Sequence, residues 1–153
     1  MEKVKIKLRS AVKSDSKAIL KLILELAEFE KLKPPDINGR KRLIKDAFSK
    51  NPPFKVILAE INSEIVGYSF YFFTYSSFVA KRTLYLEDIF ISERCRSKGI
   101  GKLFFKELKK IAKKNKCGRM ELVVLDWNVD AIKFYDKLGA IHLNEWKTYR
   151  LTI

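Results

Sequence analysis

Glutamine is missing from the 153 residues, and the chain holds only two cysteines, one histidine and two tryptophans. Cys95 and Cys117 sit in no Cys-x-x-Cys spacing, and one histidine cannot supply a ligand cluster. A disulfide scaffold and a zinc site are therefore not expected, and the two thiols read as unpaired. The lone His142 falls in a strand-like stretch, where packing or surface placement is expected rather than catalysis. No metal is called for. No apolar run reaches the length of a membrane span, and the opening stretch MEKVKIKLRS alternates charged and apolar residues where a signal peptide needs an unbroken apolar segment. The expectation is a cytoplasmic protein with no membrane partner. Repeats, low-complexity tracts and linkers are absent as well, so residues 1–153 read as a single domain.

Acidic residues are scarce beside basic ones, 18 against 32, which leaves a net charge of +14. Such a balance invites a nucleic-acid reading. Its placement argues against one, because much of the excess lies at Lys102, Lys106, Lys109, Lys110 and Lys113, on what reads as the polar face of a helix, and in the exit Lys114–Lys116. A solvated helix face is expected there, with nucleic acid an unlikely partner. Apolar residues make up 47% of the chain, enough to fill one core.

The most informative stretch runs from Thr83 to Lys114. Leu84, Leu86, Asp88 and Phe90 alternate with Tyr85, Glu87, Ile89 and Ile91, which predicts a strand with those two sets on opposite faces. Arg96, Ser97, Lys98, Gly99, Ile100 and Gly101 follow as a glycine turn. Beyond it Ile100, Leu103, Phe104, Leu108, Ile111 and Ala112 recur at helical spacing. A helix start offers unpaired N–H groups and the positive end of the macrodipole, and glycines let an anion approach the backbone, so this junction suits a phosphate.

The remaining elements read in order. Val4, Ile6 and Leu8 alternate with Lys3, Lys5, Lys7 and Arg9 as a first strand, and Ser14 or Asp15 can cap the helix that carries Ile19, Leu22, Ile23, Leu26 and Phe29. Pro34-Pro35 stops it, a shorter helix spans Gly39 to Phe48, and Phe54–Ile61 and Ile65–Tyr75 form strands joined by a short turn at Asn62-Ser63-Glu64. Met120–Asp126 reads as a strand buried on both faces, Asp130–Leu138 as a helix capped by Asn128 and ended by Gly139, and Lys147–Ile153 as a last strand.

Four motifs in this order carry a resemblance: Tyr85-Leu86-Glu87-Asp88, the loop 96–101, Asp126-Trp127-Asn128, and the run from Lys133 to Gly139 through Phe134 and Tyr135. Together they resemble the GNAT N-acetyltransferases, and within them the spermidine/spermine (diamine) acetyltransferase branch, from about Lys7 to Trp146. The resemblance implies an α/β GNAT fold, a mixed central sheet flanked by helices whose central parallel strands splay around acetyl-CoA. It implies acetyl transfer to a primary amine, polyamine or diamine first, in a direct ternary complex, by a homodimer.

An alkylamine has a pKa near about 10.4, so roughly one molecule in a thousand is nucleophilic at neutral pH and a base is valuable. Glu87 matches the family's base and Tyr135 the acid that protonates the departing thiolate. Asp88, on the opposite face, is not expected to share the cleft with Glu87. By the same resemblance, backbone groups of Ile89, Phe90 and Ile91 meet the pantetheine arm, with the Ile89 amide toward the oxyanion. Arg96, Ser97, Lys98, Gly99, Ile100, Gly101 and Lys102 hold the pyrophosphate, and Asn128 contacts the cofactor, as does Tyr135. For the amine, Phe29-Glu30 matches a Tyr-Glu pair, one hydroxyl lost, within the acidic run Glu25, Glu28 and Glu30. Glu145 before Trp146 resembles a further substrate carboxylate. Two alternatives stay open: a lysine-like amino acid or protein lysine as acceptor, and a basic protein that binds nucleic acid or acyl-CoA without turnover.

Overall fold

A computed structural model describes residues 5–153. Lys3 and Val4, assigned above to the first strand, lie outside the described residues. The chain folds into two compact units, the first running through Val123 and the second comprising Val124–Ile153.

The first unit is built on a five-stranded sheet with strands in sequence order: β1 Ile6–Ser10, β2 Lys55–Ile61, β3 Glu64–Ser76, β4 Lys81–Ile91 and β5 Arg119–Leu122. The first three pairings are antiparallel and the last, β4 with β5, is parallel. A parallel neighbour needs a crossover, supplied here by helix α3, Ile100–Lys114. Helices α1, Ser16–Glu30, and α2, Ile37–Ala47, connect β1 to β2.

Local chemistry explains the boundaries. Asp15 stands at the α1 N-cap but makes no side-chain bond to the helix; its carboxylate instead accepts the Val12 N–H at 2.8 Å and two bonds from Arg9, at 2.7 and 3.0 Å. Arg9 also reaches Glu60, which ties β1, β2 and the start of α1 together. Lys31 leaves α1 in the left-handed region at φ 56°, ahead of Pro34. Asp36 caps α2 by accepting the Gly39 N–H at 2.6 Å, so that helix starts two residues before the expected glycine. Asn62 and Ser63 both take positive φ, which suits the two-residue turn between β2 and β3.

Ile19 and Leu22 of α1 pack on Val56, Leu58, Tyr68 and Phe90, one face of the sheet. The alternate residues Ile57, Ala59, Leu84 and Leu86 are buried on the other face, where α3 contacts β1, β2, β4 and β5. Along α3 the inward set is Ile100, Phe104, Phe105, Leu108 and Ala112, while Leu103 is 36% exposed. The stripe is thus rotated slightly from the expected one, toward Phe105.

Two expected strands differ. β5 stops at Leu122, and Val123 and Val124 are exposed rather than buried on both sides, because the ladder with β4 ends at the Leu86–Leu122 pair. Residues 147–153 form no strand. Their alternation of Tyr149, Leu151 and Ile153 with polar residues is strand-like, but a strand exists only by pairing, and no ladder reaches these exposed residues. The second unit holds one helix, α4 Val129–Lys137. Asn128 caps it by accepting the Ala131 N–H, and Gly139 follows at φ 81°, as the sequence suggests.

Candidate active site

The second half of β4 departs from regular pairing. Phe70 pairs with Asp88 but the next residue, Tyr71, pairs with Leu86, so Glu87 is an extra residue opposite β3. Such a bulge bends its strand and re-aims side chains. It also resets the alternation. Leu84 and Leu86 pair with Phe73 and Tyr71, whereas Asp88 and Phe90 pair with Phe70 and Tyr68 on the α1 face. The expected common face for all four is therefore wrong beyond Leu86. Counted from Tyr85, which contacts the Phe72 ring, Glu87 falls on the α1 side, and counted from the Phe70 pair so does Asp88. The bulge brings both carboxylates to one side, where a regular strand would separate them.

Those carboxylates share their surroundings with Tyr68 and Glu30. Tyr68 is fully buried and donates its hydroxyl to Asp88 Oδ2 at 3.1 Å. Burial pushes the Asp88 carboxyl up to about 6; the Tyr68 hydrogen bond opposes that, and the charges of Glu87 and Glu30 push the same way. Burial also raises Glu30, at the end of α1. The Tyr68 phenol is driven far above its ordinary range by burial first and then by Asp88. Glu30, Glu87 and Asp88 thus form an acidic cluster in an otherwise basic protein, with Glu87 its exposed member. Sequence reasoning set Asp88 aside and passed over Tyr68, because only the register of β3 against β4 joins them.

Beside this cluster β4 has a free edge. The ladder with β5 ends at Leu86, yet β4 continues to Ile91, so Glu87–Ile91 have no strand partner on that side among the described residues. Half-buried Ile89 and Ile91 and buried Phe90 lie on this segment. Backbone groups on such an edge need a partner, and an extended amide-bearing chain can provide it.

The loop that follows has the form expected of an anion cradle. Ser97 and Gly99 take positive φ, at 61° and 82°, Gly99 is the α3 N-cap, and Ser97, Lys98 and Lys102 are exposed. Ile100 is 1% exposed and anchors the helix start in the core, while Gly101 is half-buried behind it. Arg96 has a different set of neighbours. Its guanidinium lies 4.8 Å from the Phe29 ring centroid and 5.6 Å from that of Phe90, and its Nε donates to the Ile91 carbonyl at 3.1 Å. It joins the end of α1 to the end of β4. A groove of about 440 Å³ runs along α1, lined by Ala18, Leu22, Glu25, Ile65, Ser92 and Arg94 among others, with Ser92 donating to Glu25. None of the expected catalytic residues lines it.

Within the second unit, Tyr135 is half-buried on α4 with its ring 5.6 Å from that of Phe134. The Asn128 side chain is engaged as the α4 cap, and Glu145 is exposed.

Comparison with known proteins gives a match to the acetyltransferase (GNAT) family over residues 18–140. The mouse (Mus musculus) thialysine N-epsilon-acetyltransferase is 38% identical over 94% of this chain and 91% of its own. A human (Homo sapiens) spermidine/spermine N(1)-acetyltransferase-like protein 1 is 34% identical over 94% of this chain and 22% of its own. Among solved structures, a possible acetyltransferase from Clostridium difficile 630 superposes with a TM-score of 0.83, covering 97% of each chain at 21% identity, a likeness of fold.

The geometry makes Asp88 a titrating group. Its folded pKa is raised from 3.8 to about 6, so its protonated form stabilises the fold; that contribution is full below the unfolded value and is lost as pH rises through about 6. Carbon-detected NMR of the Asp88 carboxyl should show a midpoint near about 6, moving higher in Tyr68→Phe, where the opposing hydrogen bond is gone. Asp88→Asn should gain stability relative to wild type between about pH 4 and about pH 8 in urea titrations. A midpoint in the ordinary aspartate range would contradict the assignment.

Proposed function

The chain belongs to the acetyltransferase (GNAT) family, and from that premise we propose that it transfers acetyl from acetyl-CoA to the primary amine of a small cationic substrate, polyamine or diamine first, in a direct ternary complex. The observation that carries the acceptor reading is the Glu30, Glu87 and Asp88 cluster beside the free edge of β4. At a net charge of +14 the protein repels a polycation at long range, so capture relies on local carboxylates, and this cluster is where they gather. Phe29, beside Glu30, and exposed Glu145 complete the substrate side of the proposal.

In the proposed mechanism Glu87, the exposed acid at the bulge, takes the proton from the substrate ammonium, directly or through water. The freed amine nitrogen adds to the thioester carbonyl to form a tetrahedral oxyanion; its collapse breaks the carbon–sulfur bond, and the nitrogen gives up its second proton through water to replace the one that leaves Tyr135. The Ile89 amide faces the developing oxyanion, while backbone groups of Phe90 and Ile91 hold the extended arm. Tyr135 supplies the proton that the departing thiolate takes up. Ser97 to Lys102 cradle the pyrophosphate, with Arg96 bracing the loop against Ile91 and Asn128 adding a cofactor contact. The proposal treats residues 1–153 as one catalytic domain, active as a cytoplasmic homodimer.

A lysine-like amino acid is the second reading, favoured by the thialysine enzyme among the relatives. An amino acid brings an α-carboxylate that wants a cation, and Arg96, stacked on Phe29, is available beside the acidic cluster.

Calorimetry tests the cofactor half. Gly99→Asp adds negative charge at the helix start and should weaken acetyl-CoA binding by at least about tenfold, whereas Gly99→Ala, which brings only the left-handed strain, should cost less. Equal affinity for wild type and a folded Gly99→Asp would refute the cradle. Thiol release with spermidine, a diamine, a monoamine, thialysine and a lysine peptide tests the acceptor. Glu30→Gln should raise KM for spermidine several-fold more than for the monoamine, since only the longer substrate sets a second ammonium by that carboxylate. Turnover confined to thialysine or the peptide would replace the polyamine reading with the amino-acid or protein-lysine one.

A further inference from the structure

A concentration of positive charge with a defined shape lies at the opposite end of β4 from the candidate active site. A groove of about 530 Å³ is lined there by Tyr75, Lys81, Arg82, Lys114, Asn115 and Lys116, with Ala80. Four cations line it and no carboxylate does. From Lys81 to Glu87 the strand covers about 20 Å, which separates the groove from the acetyl chemistry.

The groove is built rather than a chance gap between flexible side chains. One wall is the β3–β4 hairpin, the other the exit of α3, and the Gly118 N–H donates to the Arg82 carbonyl at 2.9 Å across them. Gly118 is packed so tightly that a Cβ there would sit 2.6 Å from Val79 Cγ1. Lys116 is held at φ 55°, and the Cys117 N–H is bonded to Ala112. Complementing the helix dipole accounts for Lys114 in the last turn of α3. It does not account for Lys81, Arg82 and Lys116, which are off the helix and converge on the same groove.

One aromatic ring borders these cations, and a second stands on the adjoining hairpin tip. Tyr75 is 68% exposed and lines the groove, and Phe78, at the hairpin tip, is wholly exposed. A positively charged groove with open aromatic rings at its rim has the chemistry that tracks a phosphodiester backbone and stacks bases. We propose that this groove binds single-stranded nucleic acid, its phosphates on Lys81, Arg82, Lys114 and Lys116 and its bases against Tyr75 and Phe78. A membrane-inserting tip is the weaker occupant, because Phe78 and Val79 alone offer little apolar area while the cations lie within a groove. The expectation of a solvated helix face and exit took in Lys114 and Lys116 but not Lys81 and Arg82, which reach the same groove from β4.

The test is fluorescence anisotropy with a labelled oligouridylate of about 15 nucleotides, at about 50 and about 200 mM salt. Wild type should bind at the lower salt, and Lys81→Ala/Lys116→Ala should bind about tenfold more weakly with a salt slope shallower by about 1.4. Tyr75→Ala should weaken binding about fivefold or more with little change in slope. Lys106→Ala/Lys109→Ala removes the same charge from the exposed face of α3 and should change affinity less than about threefold. Acetyl transfer should be unaltered in the groove variants, which keeps this result separate from the catalytic proposal. No binding by wild type, or equal loss in both lysine pairs, would overturn the site. So would adsorption to phosphatidylserine vesicles through the same residues without oligonucleotide binding.

Discussion

The acceptor side of the proposed catalysis depends on one extra residue in β4. A strand presents successive side chains to opposite faces, so adjacent acids cannot normally act on one side of a sheet. Between the pairs Tyr71–Leu86 and Phe70–Asp88, Glu87 is inserted without a partner, and the alternation is reset. Two consequences follow from the same insertion. Leu84 and Leu86 remain in the layer under α3, which keeps the core intact, while Glu87 and Asp88 turn toward α1 and meet Glu30. Tyr68 then fixes Asp88 by hydrogen bond, so that the half-buried acid is positioned and the exposed Glu87 is the one more open to a substrate.

Charge is distributed with similar economy. Burial and mutual repulsion raise Asp88, and burial raises Glu30, which shows that gathering these acids costs free energy. The cost is reasonable for a site that has to attract a cation to a molecule of net charge +14. At the far end of β4 the basic excess lines a groove without acids, and on the exposed face of α3 it is spread in solvent. The acids thus gather on the amine side of the candidate site, apart from the basic residues of the far groove and of the loop proposed to cradle the pyrophosphate.

Much of this was readable in the sequence wherever the determining chemistry is local. The α4 cap at Asn128, the stop at Gly139, the α1 stripe from Ile19 to Leu26, though not exposed Phe29, and the glycine turn before α3 stand as expected, because each depends on residues within a turn of one another. Pairing is not local. The bulge at Glu87 depends on which β3 residue faces it, and the alternation alone put Asp88 on the wrong face. The same limit explains Lys147–Ile153, where a strand-like pattern has no ladder, and β5, where an apolar run outlasts its pairing. Arg96 was assigned to the cofactor from its motif, whereas its contacts with Phe29, Phe90 and Ile91 come from the meeting of α1 and β4.

The most direct test of the bulge as a catalytic device is the pH dependence of turnover in Glu87→Gln with a primary amine and acetyl-CoA. If Glu87 removes the ammonium proton, the rate deficit should be greatest near about pH 7 and should shrink toward about pH 10, where free amine is abundant. Acetyl-CoA affinity should stay unchanged across the series. A deficit of constant size at every pH would contradict the account and leave Glu87 as a residue that only positions the amine.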